Sequence, residues 1–109
     1  MQVNFFTKNT DCLVIKVSGE LDHHSSEKIR NEADNRIIRN RIKQLIFDFT
    51  DLSFMDSSGI GVVIGRYKLM KGCGGTVAIV TENTAVNKLL AMAGISGIIN
   101  IYPDFDCIW

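Results

Sequence analysis

The sequence predicts an α/β protein on a mixed sheet, in the order β-β-α-β-α-β-α-β. Three observations carry this. Two strand-like runs, "VNFFT" and "CLVIKVSG", are separated only by the polar "KNTD", which predicts an antiparallel hairpin. Beyond them, short apolar runs alternate with helical periods, which implies parallel strands joined by crossovers. The later runs, "QLIFDF" and "TVAIV", lack clean alternation, as central strands covered on both faces do.

In chain order, the second strand covers Cys12 to Gly19, and "ELDHH" follows as a loop. "SSEKIRNEADNRIIRN" places Ile29, Ala33 and Ile37 at a helical period with charges between, so it reads as an amphipathic helix. Ser25 or Ser26 can cap its start, and Glu27 suits the positive end of the dipole. Gln44 to Phe49 is the third strand, and "TDLSFMDSS" connects it to a helix from about Gly59 to Lys71, closed by a left-handed Gly72. Thr76 to Val80 is a buried strand. "NTAVNKLLAMAG" is a helix turning Val86, Leu89, Leu90 and Ala93 inward, with Gly94 as its stop. "GIINIY" is the last strand, and "PDFDCIW" follows.

Composition narrows the function classes. The 109 residues suit one compact domain with a real core. Hydrophobic residues at 46% and charged residues at 22% are ordinary for a soluble globular chain. Twelve basic and twelve acidic residues cancel, which argues against direct nucleic-acid binding, where phosphate neutralisation favours a basic excess. The basic stretch "RIIRNRIK" reads as a solvated helix end. No apolar run is long enough to span a bilayer, and the first residues lack a signal-peptide pattern, so no membrane role is expected and the cytoplasm is the default location. Cys12, Cys73 and Cys107 are odd in number and far apart, the pattern of reduced thiols.

Chemistry concentrates in "DLSFMDSSG", beyond the end of a strand and at the start of a helix. A single serine suffices to cap a helix, which leaves either Ser57 or Ser58 free for modification. A phosphate there is electrostatically welcome, because orphan N–H groups and the helix dipole favour an anion. Asp22, Asp48, Asp51 and Asp56 gather enough carboxylates for a metal site on paper, but bracing the turn and the strand end is the simpler use, and no metal is expected. Serine hydrolysis would need His23 or His24 as base, and DSSGIG is not the GxSxG elbow. Gly61 and Gly65 lie four apart in the predicted helix. They read as a close-packing device against the sheet rather than a phosphate cradle, beside an apolar stripe of Ile60, Val63, Ile64 and Tyr67.

Taken together, "SGELDHH", "DLSFMDSSGIGVVIGRYKLMK", the "GG" before a strand and "AVNKLLAMAGI" resemble the bacterial anti-sigma-factor antagonists, small STAS-domain proteins, and most of all the sporulation branch controlling sigma factor F. The resemblance spans residues 3 to 102. It implies a STAS-type mixed sheet, one domain over 1–109, and a regulator that is not itself an enzyme and needs no cofactor. In that family an anti-sigma factor with serine kinase activity phosphorylates the loop serine and loses its grip on the antagonist, and a serine phosphatase resets it. By position the phosphoacceptor is Ser57, with Ser58 left as the cap. Asp22, His23, Asp56, Ser58, Gly59 and Ile60 are implied as partner contacts. A nucleotide-binding module, or a structural STAS subunit of a signalling or transport complex, is the alternative. The family continues into a further C-terminal helix, of which this sequence offers at most a stub.

Overall fold

A computed structural model describes residues 2–108. Trp109, the end of "PDFDCIW", lies outside the described residues. Strands β1 (Gln2–Lys8) and β2 (Cys12–Leu21) form the expected antiparallel hairpin, paired from Gln2↔Ser18 to Lys8↔Cys12. Asn9 takes the left-handed conformation (φ 58°) that the tight turn requires. Then come α1 (His23–Arg39), β3 (Gln44–Asp48), β4 (Leu52–Met55), α2 (Ser57–Gly72), β5 (Thr76–Val80), α3 (Thr84–Met92) and β6 (Asn100–Tyr102). Short 3-10 turns cover Ile95–Gly97 and Phe105–Cys107. The sheet runs β1-β2-β3-β5-β6, parallel after the hairpin, and β4 pairs in parallel with the far end of β2.

The central strands bury both faces. Leu13, Ile15, Val17, Leu45, Phe47 and Ile79 join Ile29, Ala33 and Ile37 of α1, Val62, Val63 and Met70 of α2, and Val86 and Leu90 of α3 in the main core. Alternate residues Cys12, Val14, Ile46, Ala78 and Val80 face the other way, against Tyr102, Phe105 and Ile108. This two-sided burial is why the runs do not alternate in sequence.

Six local expectations are corrected. The connection "TDLSFMDSS" contains a strand, β4. "ELDHH" is not a loop, because β2 runs on through Leu21 and α1 starts at His23. The caps of α1 and α2 are Asp22 and Asp56, not serines: a carboxylate one residue before the helix reaches the second and third amides more readily than a hydroxyl already inside the first turn. Gly72 is still helical, and the left-handed residue is Gly74 (φ 76°). Gly61 and Gly65 face open space; the close approach belongs to Gly59, whose Cβ would lie 3.0 Å from Met55 Cγ and 3.1 Å from Leu21 Cγ. The buried stripe of α2 is Gly59, Val62, Val63, Arg66 and Met70, which turns Ile60, Ile64 and Tyr67 to its half-covered flanks and Ala93 of the next helix end outward. Gly94 ends α3 in the left-handed conformation (φ 80°), as expected.

Gly75 proves tighter than any glycine of the "GIGVVIG" run. An added Cβ would meet Met70 Cε at 2.5 Å and the Lys43 carbonyl oxygen at 2.7 Å, and the latter is backbone that cannot yield cheaply. Gly75→Ala is expected to destabilise the domain by about 1–3 kcal/mol, read as a drop of roughly 5–15 °C in the thermal unfolding midpoint. An unchanged midpoint would show that the β3 entry can shift to make room.

Candidate functional site

Two helices begin from one rung of the sheet. Leu21 at the end of β2 pairs with Met55 at the end of β4, and the Asp56 amide donates to the Leu21 carbonyl at 3.3 Å. The next residue on each strand, Asp22 and Asp56, is extended and caps a helix. Asp22 Oδ1 accepts from the amides of His24 (3.0 Å) and Ser25 (3.2 Å), and the Asp22 amide donates to Ser25 Oγ at 3.1 Å. This reciprocal capping box starts α1. Asp56 Oδ1 accepts from the amides of Ser58 (2.8 Å) and Gly59 (3.4 Å) and starts α2. The small size of Gly59 lets that turn lie against Leu21 and Met55.

With the cap supplied by Asp56, neither serine hydroxyl is needed for it. Ser57 is the first residue of α2; it is exposed, and its hydroxyl makes no hydrogen bond among the described residues. Ser58 is half-buried and points toward α1, its Oγ 3.5 Å from His23 Nδ1. A cleft of about 170 Å³ lies here, lined by His23, Ser26, Glu27, Arg30, Ser58 and Gly61. Of the predicted site residues, Asp22, His23, Asp56, Ser58 and Gly59 therefore come together around the two helix starts. Ile60 is half-buried and packs on the main core. Arg30 was missed, although the spacing 23, 26, 27, 30 lies on one helical face and could have revealed it.

The other carboxylates have separate work. Asp48 is buried and accepts from the Thr50 amide (3.1 Å) and hydroxyl (2.7 Å), and Asp51 pairs with Lys16 at 3.2 Å. Among the described residues, no carboxylate is hydrogen-bonded to the His23 ring, so the Ser58–His23 contact lacks the orienting group of a nucleophilic triad. Among the same residues, no helix is long and apolar enough to cross a membrane.

The Ser25 amide foremost holds the Asp22 carboxyl below the usual aspartate value; desolvation opposes it, and the Ser25 hydroxyl and the His24 amide add to the lowering. A depressed folded pKa contributes stability that is present above the unfolded value of about 3.9. That contribution is lost as pH falls through the lower folded value. Asp22→Asn is expected to flatten this part of the acid dependence, measured as urea midpoints between about pH 2 and pH 5. Parallel acid profiles for the two proteins would rule out an ionised cap.

A mixed sheet that presents two carboxylate-capped helix starts side by side, with a bare serine on one of them, is the architecture of a STAS domain. The model of that family, described as "STAS domain", matches residues 6–107, and the chain belongs to it. Within the family it is 43% identical over 92 residues to the anti-sigma F factor antagonist of Paenibacillus polymyxa, covering 84% of this chain and 79% of that one. It is 33% identical over 94 residues to the anti-sigma F factor antagonist of Lysinibacillus sphaericus, covering 86% and 79%. Among solved structures, the anti-sigma factor antagonist SpoIIAA in its unphosphorylated form matches with a TM-score of 0.88 at 29% identity, over 98% of this chain and 93% of that chain. The Bacillus cell fate determinant SpoIIAA in the phosphorylated form matches with a TM-score of 0.80 at 28% identity, over 98% and 96%.

Proposed function

We propose that this chain is an anti-sigma factor antagonist working as a single cytoplasmic domain, and that its switch is Ser57. In this reading the unphosphorylated protein binds an anti-sigma factor that is also a serine kinase, so that a sigma factor is released. Phosphate on Ser57 ends the binding, and a serine phosphatase restores it. The observation that carries the reading is the exposed, unpartnered Ser57 hydroxyl on a helix start already capped by Asp56. Phosphate can be added there without removing any contact of the fold, and the helix dipole favours the anion. The names of the relatives support the partner class, and the unphosphorylated and phosphorylated SpoIIAA structures, both similar to this chain, support a switch that leaves the fold in place. Asp22, His23, Asp56, Ser58, Gly59 and Ile60 form the proposed contact surface.

The test is phosphotransfer from ATP and magnesium by the cognate anti-sigma factor. Mass spectrometry is expected to find one phosphate, on Ser57, and none on Ser57→Ala. Phosphate confined to Ser58 would overturn the residue, and absence of any transfer would overturn the switch. A thermal shift with ATP or GTP alone would instead support a nucleotide-binding module.

A further inference from the structure

The charges of this chain cancel in sum, 12 basic against 12 acidic, but not in space. Strands β2 to β6 run parallel, so their carboxyl ends share one end of the sheet, and the start of α2 with Ser57 lies there. Asp22 and Asp56 cap helices at this end, Glu82 follows β5, and Asp104 and Asp106 follow β6. The last three are exposed. Arg30 on the cleft is a cation close by, and Lys16 is paired with Asp51. At the opposite end, Lys8 closes β1, Arg39 and Lys71 lie in the last turns of α1 and α2, and Arg41 and Lys43 flank the entry to β3. All five are exposed, and Asp11 is the carboxylate that shares their end.

Helix dipoles account for only part of this. Asp22 and Asp56 at helix starts, and Arg39 and Lys71 in last turns, each offset the partial charge of a helix end. Asp104 and Asp106 belong to a three-residue turn, and Lys8, Arg41 and Lys43 lie outside the helices. These charges enlarge the two poles without that cause.

We propose that the poles orient this protein as it approaches its anti-sigma factor, and that the partner's docking face is basic around the point that meets Ser57. The inference rests on the function proposed above and adds to it the partner's charge and the kinetics of the encounter. Strand β2 has 10 residues, so the poles lie roughly 30 Å apart. Fixed charges are screened over about 8 Å at physiological ionic strength. A partner arriving at either end therefore senses that pole and not the zero sum. A basic face is drawn to the switch end and turned away from the other, which raises the frequency of productive encounters. Phosphate on Ser57 adds about two negative charges to the acidic pole, so at a distance it strengthens the attraction. Its effect on affinity then arises in contact, from its bulk and its immediate neighbours on the partner, and belongs to the dissociation rate.

Stopped-flow association with the purified anti-sigma factor, from about 20 to 300 mM salt, tests this. The association rate constant is expected to fall about fivefold or more over that range. The triple variant Glu82→Gln, Asp104→Asn, Asp106→Asn retains an acceptor for the Cys107 amide that Asp104 now caps. It is expected to lower the association rate about threefold at low salt and to leave the dissociation rate unchanged. Arg39→Gln with Lys71→Gln, at the far pole, is expected not to lower it. Ser57→Asp is expected to associate at least as fast as the unaltered protein and to lose affinity through faster dissociation. A complex whose association rate ignores both salt and the triple variant overturns the steering and leaves the proposed function standing. A rate that rises with salt or in the triple variant makes the partner's face acidic and overturns it as well. Absence of any complex across the salt range overturns the proposed function, and the inference with it.

Discussion

Ser57→Asp is expected to weaken binding to the anti-sigma factor about tenfold or more while leaving the melting temperature within a few degrees. Two like unit charges roughly 6 Å apart repel by about 1–3 kcal/mol at effective dielectrics of 80 to 20. Each 1.4 kcal/mol is a factor of ten in affinity. The dianionic phosphate, set against one acidic group of the partner, reaches about 10- to 1,000-fold on the same scale, and its bulk adds to that. Neither change is expected to disturb the fold, because the Ser57 side chain is exposed and its hydroxyl makes no hydrogen bond among the described residues. A carboxylate in the first turn of α2 is also favoured by the helix dipole. Calorimetric titration against the purified partner reads the first effect and thermal denaturation the second. A variant that unfolds, or that binds as tightly as the unaltered protein, would overturn the local switch.

Asp34→Ala is expected to destabilise the domain by about 2–4 kcal/mol, a fall of roughly 10–20 °C in the unfolding midpoint. Arg66 lies on the buried stripe of α2, 7% exposed, with its Nε 2.8 Å from Asp34 Oδ1 on α1. The contact joins charges but is not an aligned hydrogen bond, and Arg66 Nη1 has no partner among the described residues. Burial lowers the Arg66 pKa, and the Asp34 carboxylate opposes that shift. Removing Asp34 strands a buried cation, the costly case for an ion pair. The Asp34 side chain is 40% exposed, so the cost falls below that of a fully buried pair. Arg66→Met keeps the bulk and removes the charge, so it is expected to stay within about 1 kcal/mol of the unaltered protein. The double variant should recover most of what Asp34→Ala loses, and a double-mutant cycle gives the coupling. If Asp34→Ala proves neutral, solvent reaches the guanidinium and the pair does not set the packing of α1 on α2.

The legible part of this molecule was the part governed by long-range periodicity. Ile29, Ala33 and Ile37 gave α1, and the unalternating runs around Phe47 and Ile79 gave strands buried on both faces. Strand β4 was illegible because it has only four residues, buried at both ends and exposed at Ser53 and Phe54 between, so neither length nor alternation marks it. Its pairing with β2, across a register shift between Gly19 and Glu20, is a tertiary event. The caps were misread for a related reason. Both serine and aspartate suit an N-cap, and only the position of the preceding strand end decides which residue steps off into the helix. The buried Arg66 carries no local mark, because its partner Asp34 lies 32 positions earlier on another helix. The DSSG loop stood out as a helix start with a surplus hydroxyl, but the serine could not be chosen from local chemistry alone. The geometry distinguishes them: Ser57 faces solvent, and Ser58 faces His23.

The common rung of Leu21 and Met55 ties the histories of two distant segments together. Each residue of an α-helix turns the chain by about 100°. One residue inserted or lost between Leu21 and α1, or between Met55 and α2, would swing that helix start away from its neighbour. The stretches "GELDHH" and "DLSFMDSSG" can therefore drift in composition but not independently in length. Among chains that keep this double start, gaps should collect in the KNTD turn or after Tyr102, and variants with a shifted count at either cap should be missing from any collection selected for partner binding.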